Sequence, residues 1–167
     1  MQLNEPAPDF GLLDLQGDLQ NLSDYLGKIV IINFWSAECP HSGRVDGYLH
    51  ALLENWEGKV VMLPVASNQN ESIQTVAEAA RARHVPQILI DSNHAVADLY
   101  GALTTPHVFV IDREGVLRYR GAVDDITFRH REATQLFLRD AVEALLNRQF
   151  PPRSETPAYG CTIVREI

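Results

Sequence analysis

The segment Ile29-Val30-Ile31-Ile32-Asn33-Phe34-Trp35-Ser36-Ala37-Glu38-Cys39-Pro40-His41-Ser42 decides the fold. From Ile29 to Phe34 it is an almost unbroken β-branched run after the turn at Gly27-Lys28, the pattern of a strand buried on both faces in a largely parallel sheet. Proline at position 40 suits the first turn of a helix. Val45, Leu49, Leu52, Leu53 and Trp56 then fall at offsets 0, 4, 7, 8 and 11, the stripe of an amphipathic helix. Cys39 therefore stands at a strand-to-helix junction, where the partial positive charge of a helix N-terminus favours the nucleophilic thiolate.

Upstream, Pro6 to Phe10 is stiff and extended, and two short apolar runs between Phe10 and Asn21 flank Gln16-Gly17-Asp18, a hairpin signal. Downstream, Val60 to Val65 reads as a second buried strand, and Ile73, Val76, Ala77 and Ala80 mark the next helix. Gln87 to Asp91 reads as a short strand, and Asn93 to Tyr100 as a short helix closed by Gly101. His107 to Asp112 and Val116 to Arg120 flank Arg113-Glu114-Gly115 as an antiparallel hairpin. Phe137, Ala141, Ala144 and Leu145 stripe a last helix expected from Arg131 to Asn147. The order predicts an α/β sandwich: a mixed central sheet flanked by helices, with an N-terminal β-hairpin. Phe150-Pro151-Pro152-Arg153 then breaks helix, so residues 1–150 are expected as one domain and 151–167 as an extended tail packing on it.

The length of 167 residues, with 46% hydrophobic and 22% charged residues, fits one globular domain and excludes a disordered or low-complexity chain. Fourteen basic against twenty-two acidic residues leave 14 − 22 = −8, which repels nucleic acid. No apolar run approaches the roughly 18 to 20 residues of a membrane span, and Met1 to Pro6 lacks the features of a signal peptide. The expectation is a cytoplasmic protein as the chain stands, or an exported one if a signal segment has been removed. No Gly-rich phosphate loop and no metal-ligand spacing is present, so neither cofactor nor metal is expected. The two cysteines, Cys39 and Cys161, are far apart and cannot build a disulfide-rich scaffold.

The strand, Trp35, Cys39-Pro40 and helix together resemble the active site of the thioredoxin superfamily. Ala7-Pro8-Asp9-Phe10, Leu22-Ser23-Asp24-Tyr25 with Gly27-Lys28, and Thr105-Pro106 before Val108 to Asp112 are similar in order and spacing to its redoxin branch. That branch contains the alkyl hydroperoxide reductase/thiol-specific antioxidant proteins and thioredoxin-like thiol reductases. The resemblance implies a thioredoxin-like sandwich, an attacking thiol at Cys39 and a cis-proline at Pro106 that lets the preceding backbone pair with an extended substrate. It places Trp35, Pro40, His41, Ser42, Thr105, Pro106 and His107 around the substrate. Trp35 would be a packing platform. His41 either tunes the thiolate or lies at the surface, and His107 lines the substrate face or caps a strand.

One departure stands out. The second cysteine of dithiol relatives falls at Ser42, whose hydroxyl cannot resolve a mixed disulfide. The pattern Cys-Pro-X-Ser with the tail Tyr159-Gly160-Cys161 resembles a less characterised redoxin group. Cys161 is thus either a resolving thiol or a free thiol on a structural tail. The expected partners are a protein or small-molecule disulfide, or a peroxide, together with an external reductant such as a thioredoxin-type protein. For a thiol peroxidase, Ser36 would supply the hydroxyl and Arg118 the guanidinium that bind peroxide beside Cys39. Ile32, at the position of the peroxidase proline, and Pro106 speak for thiol-disulfide exchange. A redox-inactive binding domain is the third reading.

Overall fold

All of Ile29–Trp35 is buried, which makes this run the central strand β3. The computed structural model describes residues 1–166. Before β3 come β1 (Gly11–Asp14) and β2 (Leu19–Asn21), the expected hairpin, and a 3-10 turn over Leu22–Tyr25. After it follow α1 (Pro40–Asn55), β4 (Val60–Ala66), α2 (Ile73–Ala82), β5 (Leu89–Ile90) and α3 (Ala95–Tyr100). The chain continues through β6 (Thr104–Thr105), β7 (His107–Ile111), β8 (Leu117–Gly121), α4 (Phe137–Leu146) and β9 (Cys161–Thr162).

Seven of these strands form one mixed sheet in the order β2-β1-β5-β4-β3-β7-β8. β3 runs parallel to β4, from Ile29 opposite Val60 to Trp35 opposite Ala66. It runs antiparallel to β7, with Phe34 opposite His107 and Val30 opposite Ile111. The period of two sorts its side chains. Ile29 and Ile31 pack with Val45 and Leu49 of α1 and with Leu138, Val142 and Leu145 of α4. Val30, Ile32 and Phe34 pack on the other face with Phe10, Tyr100, Phe109 and Ile163. The sheet is thus covered on both faces, as its apolar central strand requires.

Two elements differ from the sequence expectation. The last helix begins at Phe137 rather than Arg131. Asp125 accepts the Thr134 N–H at 2.9 Å, and the Thr127 hydroxyl accepts the N–H groups of Arg129 and His130, so side chains satisfy backbone that a helix would otherwise use. The strand expected over Gln87 to Asp91 shrinks to Leu89–Ile90, because the Asp91 carboxylate turns to accept the N–H groups of Val96 and Ala97 at the start of α3. The tail shows what its composition did not. Cys161–Thr162 pairs antiparallel with Thr104–Thr105 as a separate two-stranded sheet, with Thr105 opposite Cys161.

Anchors flank that pairing. Ile163 is 3% exposed, in the same cluster as Phe34 and Phe109, and its burial contributes about 2 kcal/mol. The Val164 N–H donates to Asn68 Oδ1 and its carbonyl accepts the Gln69 N–H, both at 2.7 Å. At the other end, the Thr156 hydroxyl accepts the Ala122 N–H at 3.0 Å and lies 2.6 Å from the Tyr119 hydroxyl.

Candidate active site

Residues 36–39 join β3 to α1, and four polar side chains, those of Ser36, Ser42, Glu71 and Arg83, hold them. The Ser36 hydroxyl accepts the N–H of Cys39 at 3.1 Å and of Glu38 at 3.2 Å while donating to the Glu71 carboxylate. Glu71 also accepts the Ala37 N–H at 2.8 Å. The Ser36 N–H donates to the buried Ser42 hydroxyl at 3.0 Å. From the end of α2, Arg83 donates to the carbonyls of Ser36, at 2.9 Å, and Ala37. Its guanidinium lies 3.5 Å from the buried Asp46 carboxylate and 4.9 Å from the Trp35 ring centroid, and the Trp35 indole N–H donates to Asp46. Burial raises the Asp46 carboxyl above its ordinary value, while the Trp35 bond and the Arg83 charge pull it down.

Cys39 caps α1 with extended backbone, and Pro40 is the first helical residue. Its thiol donates to the Thr105 carbonyl at 3.2 Å, and the residue is only 3% exposed. Burial pushes this thiol up. Hydrogen bonds from the Cys161 thiol, the Thr105 side chain and the backbone of Ser42 and Cys161 outweigh it, so the thiol lies below the ordinary cysteine value. Among the described residues the buried Thr105 hydroxyl has no other partner, which leaves its proton for an ionised sulfur. Cys161 goes the other way. Burial, the hydrogen bond with Cys39 and the negative charges of Cys39 and Glu71 push it up to about 11. The two thiols, both free, are thus shifted in opposite directions, Cys39 below the ordinary cysteine value and Cys161 above it.

The remaining residues singled out in the sequence fall into two groups. The peptide between Thr105 and Pro106 is cis, and both residues lie beside the sulfur's acceptor. Pro40 is exposed, and the His41 ring meets Tyr159 of the tail edge-on, with centroids 5.1 Å apart, instead of turning to the thiol. Trp35 and Ser42 are fully buried, so neither touches a substrate in this arrangement. His107 caps the turn between β6 and β7: its Nδ1 accepts the Leu103 N–H at 3.1 Å. Burial and the Arg120 charge lower its pKa to about 4, so the ring is neutral.

Of the two peroxide-binding candidates, Ser36 lies beside Cys39 and Arg118 does not. Ser36 commits its only hydroxyl proton to Glu71. Arg118 pairs with Asp112 at 2.7 Å beside the turn of the β7–β8 hairpin. Because Phe34 pairs with His107 but Val30 with Ile111, that turn lies at the opposite end of β3 from Cys39, about 13 Å of strand away. Chain order put a cation in the right hairpin, and the register carried it to the wrong end.

The sequence matches the AhpC/TSA family model over residues 3–120, most of the chain. The chain belongs to the AhpC/TSA family. Among curated relatives, the thiol-disulfide oxidoreductase ResA of Geobacillus thermodenitrificans is 31% identical over 112 residues, covering 67% of this chain and 64% of the relative. The match therefore spans under two thirds of the relative's own length. A hypothetical protein of Sinorhizobium meliloti superposes with a TM-score of 0.88 at 28% identity, covering 98% of this chain and 94% of the other. The thioredoxin domain of a thiol-disulfide oxidoreductase from Bacteroides vulgatus superposes with a TM-score of 0.63 at 21% identity, covering 70% and 86%, and shares the thioredoxin-like fold. Among the described residues, no helix is long and apolar enough to cross a membrane.

In this AhpC/TSA member Glu71, Arg83 and Asp46 hold the segment before Cys39, though the sequence singles out none of them. Tyr159, which the sequence shows only within the tail motif, packs on His41. Each is an ordinary polar or aromatic residue with no motif spacing around it. Tyr159 alone carried a signal, its place two residues before Cys161.

Proposed function

We propose that this protein is a thiol-disulfide oxidoreductase in which Cys39 attacks and Cys161 resolves, with residues 151–167 acting as part of the same unit as residues 1–150. One observation carries the reading: the β6–β9 register sets Cys161 opposite Thr105, whose carbonyl holds the Cys39 thiol. The Cys39 thiolate attacks one sulfur of a protein or small-molecule disulfide, forming a mixed disulfide and releasing the other sulfur as a thiolate. Cys161 then gives up its proton and attacks the Cys39 sulfur. The substrate's second thiolate leaves, and a Cys39–Cys161 disulfide remains. Two thiols of an external reductant, such as a thioredoxin-type protein, return both electrons.

The proximity of Cys161 substitutes for the missing dithiol partner at Ser42. Its raised pKa keeps it protonated until the Cys39 sulfur becomes electrophilic, and Cys39, whose thiol is shifted down, is the better leaving group of the two when the reductant arrives.

The experiment is non-reducing mass spectrometry after exposure to a stoichiometric protein disulfide. Wild type should lose two hydrogens, with a cross-link mapped between Cys39 and Cys161. Cys161→Ser should stop at the mixed disulfide, and Cys39→Ser should not react. Fast Cys39-dependent peroxide consumption without disulfide exchange would overturn the reading in favour of a thiol peroxidase. An inert Cys39 would make the domain a binding module.

A further inference from the structure

We propose that β9 occupies the protein's own substrate-docking edge: a peptide disulfide enters by displacing the tail from β6, and the cysteine it presents must follow a glycine. This rests on the exchange reading above and names the substrate class of the same site.

β6 pairs with β9 and with no other named strand, and it carries Thr105, the residue whose carbonyl holds the reactive thiol. While β9 is in place, Cys39 is 3% exposed, which leaves no room for a polypeptide disulfide at its sulfur. Lifting β9 exposes the sulfur and at the same time frees the β6 backbone groups. An extended peptide adding as a strand satisfies those groups, and in the register seen here its cysteine takes the place of Cys161.

The restriction on its neighbour comes from space. A Cβ added to Gly160 would stand 2.1 Å from the Thr105 carbonyl oxygen, 2.7 Å from its carbon and 3.1 Å from the Pro106 nitrogen. All three are backbone atoms, so none can swing aside as a side chain would. Gly160 is not among the positive-φ residues, so its own conformation does not demand glycine. The demand comes from the docking edge and applies equally to any chain laid there. Two further preferences flank the cysteine. An aromatic ring two residues before it meets His41, as Tyr159 does, and an apolar side chain two residues after it enters the core, as Ile163 does.

The same contacts give the tail its second task. After Cys39 has captured a peptide, β9 returns to β6 by competing for the edge. In doing so it brings Cys161 onto the mixed disulfide, so that resolution and release are one event.

The test uses the full chain carrying Cys161→Ser and two peptides, Tyr-Gly-Cys-Thr-Ile and Tyr-Ala-Cys-Thr-Ile, each as a mixed disulfide with thionitrobenzoate. The Cys39 thiolate attacks the peptide sulfur and the coloured thiolate leaves, the better leaving group of the two. The glycine peptide should react at least about 10-fold faster. Adding Gly160→Ala, which unseats the tail, should raise both rates and preserve their ratio. Tyr159→Ala is the second opening variant should Gly160→Ala not fold. Equal rates for the two peptides would overturn the glycine requirement, and rates unchanged by both opening variants would overturn occupancy of the edge by β9. Failure of Cys39 to react even with free dithiobis-nitrobenzoate is a different result, one that removes the exchange reading itself.

Discussion

Replacing Arg83 by methionine keeps much of the side-chain volume but removes the guanidinium that ties α2 to the loop before Cys39. In the wild type this group donates to the carbonyls of Ser36 and Ala37, faces Asp46 at 3.5 Å and lies over Trp35. A hydrogen bond to a charged group contributes about 1.5 to 3 kcal/mol. The Arg83 side chain is 23% exposed, so the two bonds and the ion pair together are discounted by solvent to about 3 kcal/mol. For a chain of this size that corresponds to a fall in Tm of roughly 6 to 12 °C. Calorimetry of Arg83→Met against wild type measures it. A double-variant cycle with Asp46→Asn separates the parts, because the neutral amide relieves the buried carboxylate that the methionine strands. The double variant should lose less than the sum of the single losses. The pH dependence has a definite sign. Burial raises the folded-state pKa of Asp46, so its stabilising contribution is complete below the unfolded-state value and is lost as pH rises through the folded value. The deficit of Arg83→Met should therefore shrink as pH falls. A Tm within about 2 °C of wild type, or a deficit that grows on acidification, would refute the clamp.

Three further outcomes follow from the site. Thr105→Val removes the one unpartnered hydroxyl beside the sulfur, so the pH at half-maximal alkylation of Cys39 should rise by about one unit, the equivalent of one such hydrogen bond. Because the folded-state value of Cys39 is depressed, the variant should be the less stable protein above that range and equal to wild type below it; an unmoved alkylation profile would refute the role. Ser42→Ala strands the buried Ser36 N–H and should cost about 1 to 3 kcal/mol in urea unfolding, whereas a loss under about 0.5 kcal/mol would mean that the loop finds another acceptor. Gly121→Ala places a Cβ 2.3 Å from the Thr156 hydroxyl at a φ of +145°, so it should destabilise by about 2 kcal/mol or more and speed alkylation of Cys161; normal stability with a slow Cys161 would count against Thr156 as the root of the tail.

What could be read without the structure was whatever is written in a local period. The β-branched run of β3, the stripe of α1 and the Gly101 stop of α3 each carry their signal within a few residues, and the fold class followed from their order. Apart from the start of helix α4, the departures share one cause: the deciding partner is distant in sequence. Arg118 was placed by chain order, but only the Phe34 to His107 register reveals which end of the sheet it occupies. The stripe from Phe137 to Leu145 does not mark where helix α4 starts, and Asp125 and Thr127 fold the stretch before it through side-chain bonds. Glu71 and Arg83 do their work on backbone atoms, a task any polar residue in reach can take, so spacing leaves no mark of it. Cys161 was visible as a candidate, but its landing place, the two-residue strand Thr104–Thr105, has no pattern to read.

The tail's tether sets the kinetics of entry. A strand on a short linker is present at its own docking edge at an effective concentration of about 1 mM. A free peptide of equal intrinsic affinity at about 1 μM would then hold β6 only about one thousandth of the time. Binding alone is therefore a poor way in. Once the Cys39 thiolate has bonded to it, however, the newcomer is tethered too, and the contest becomes one between two strands at similar local concentration. Selection falls on substrates that are captured chemically during brief openings, so substrate entry should track the opening rate of the Cys161–Thr162 strand more closely than peptide affinity.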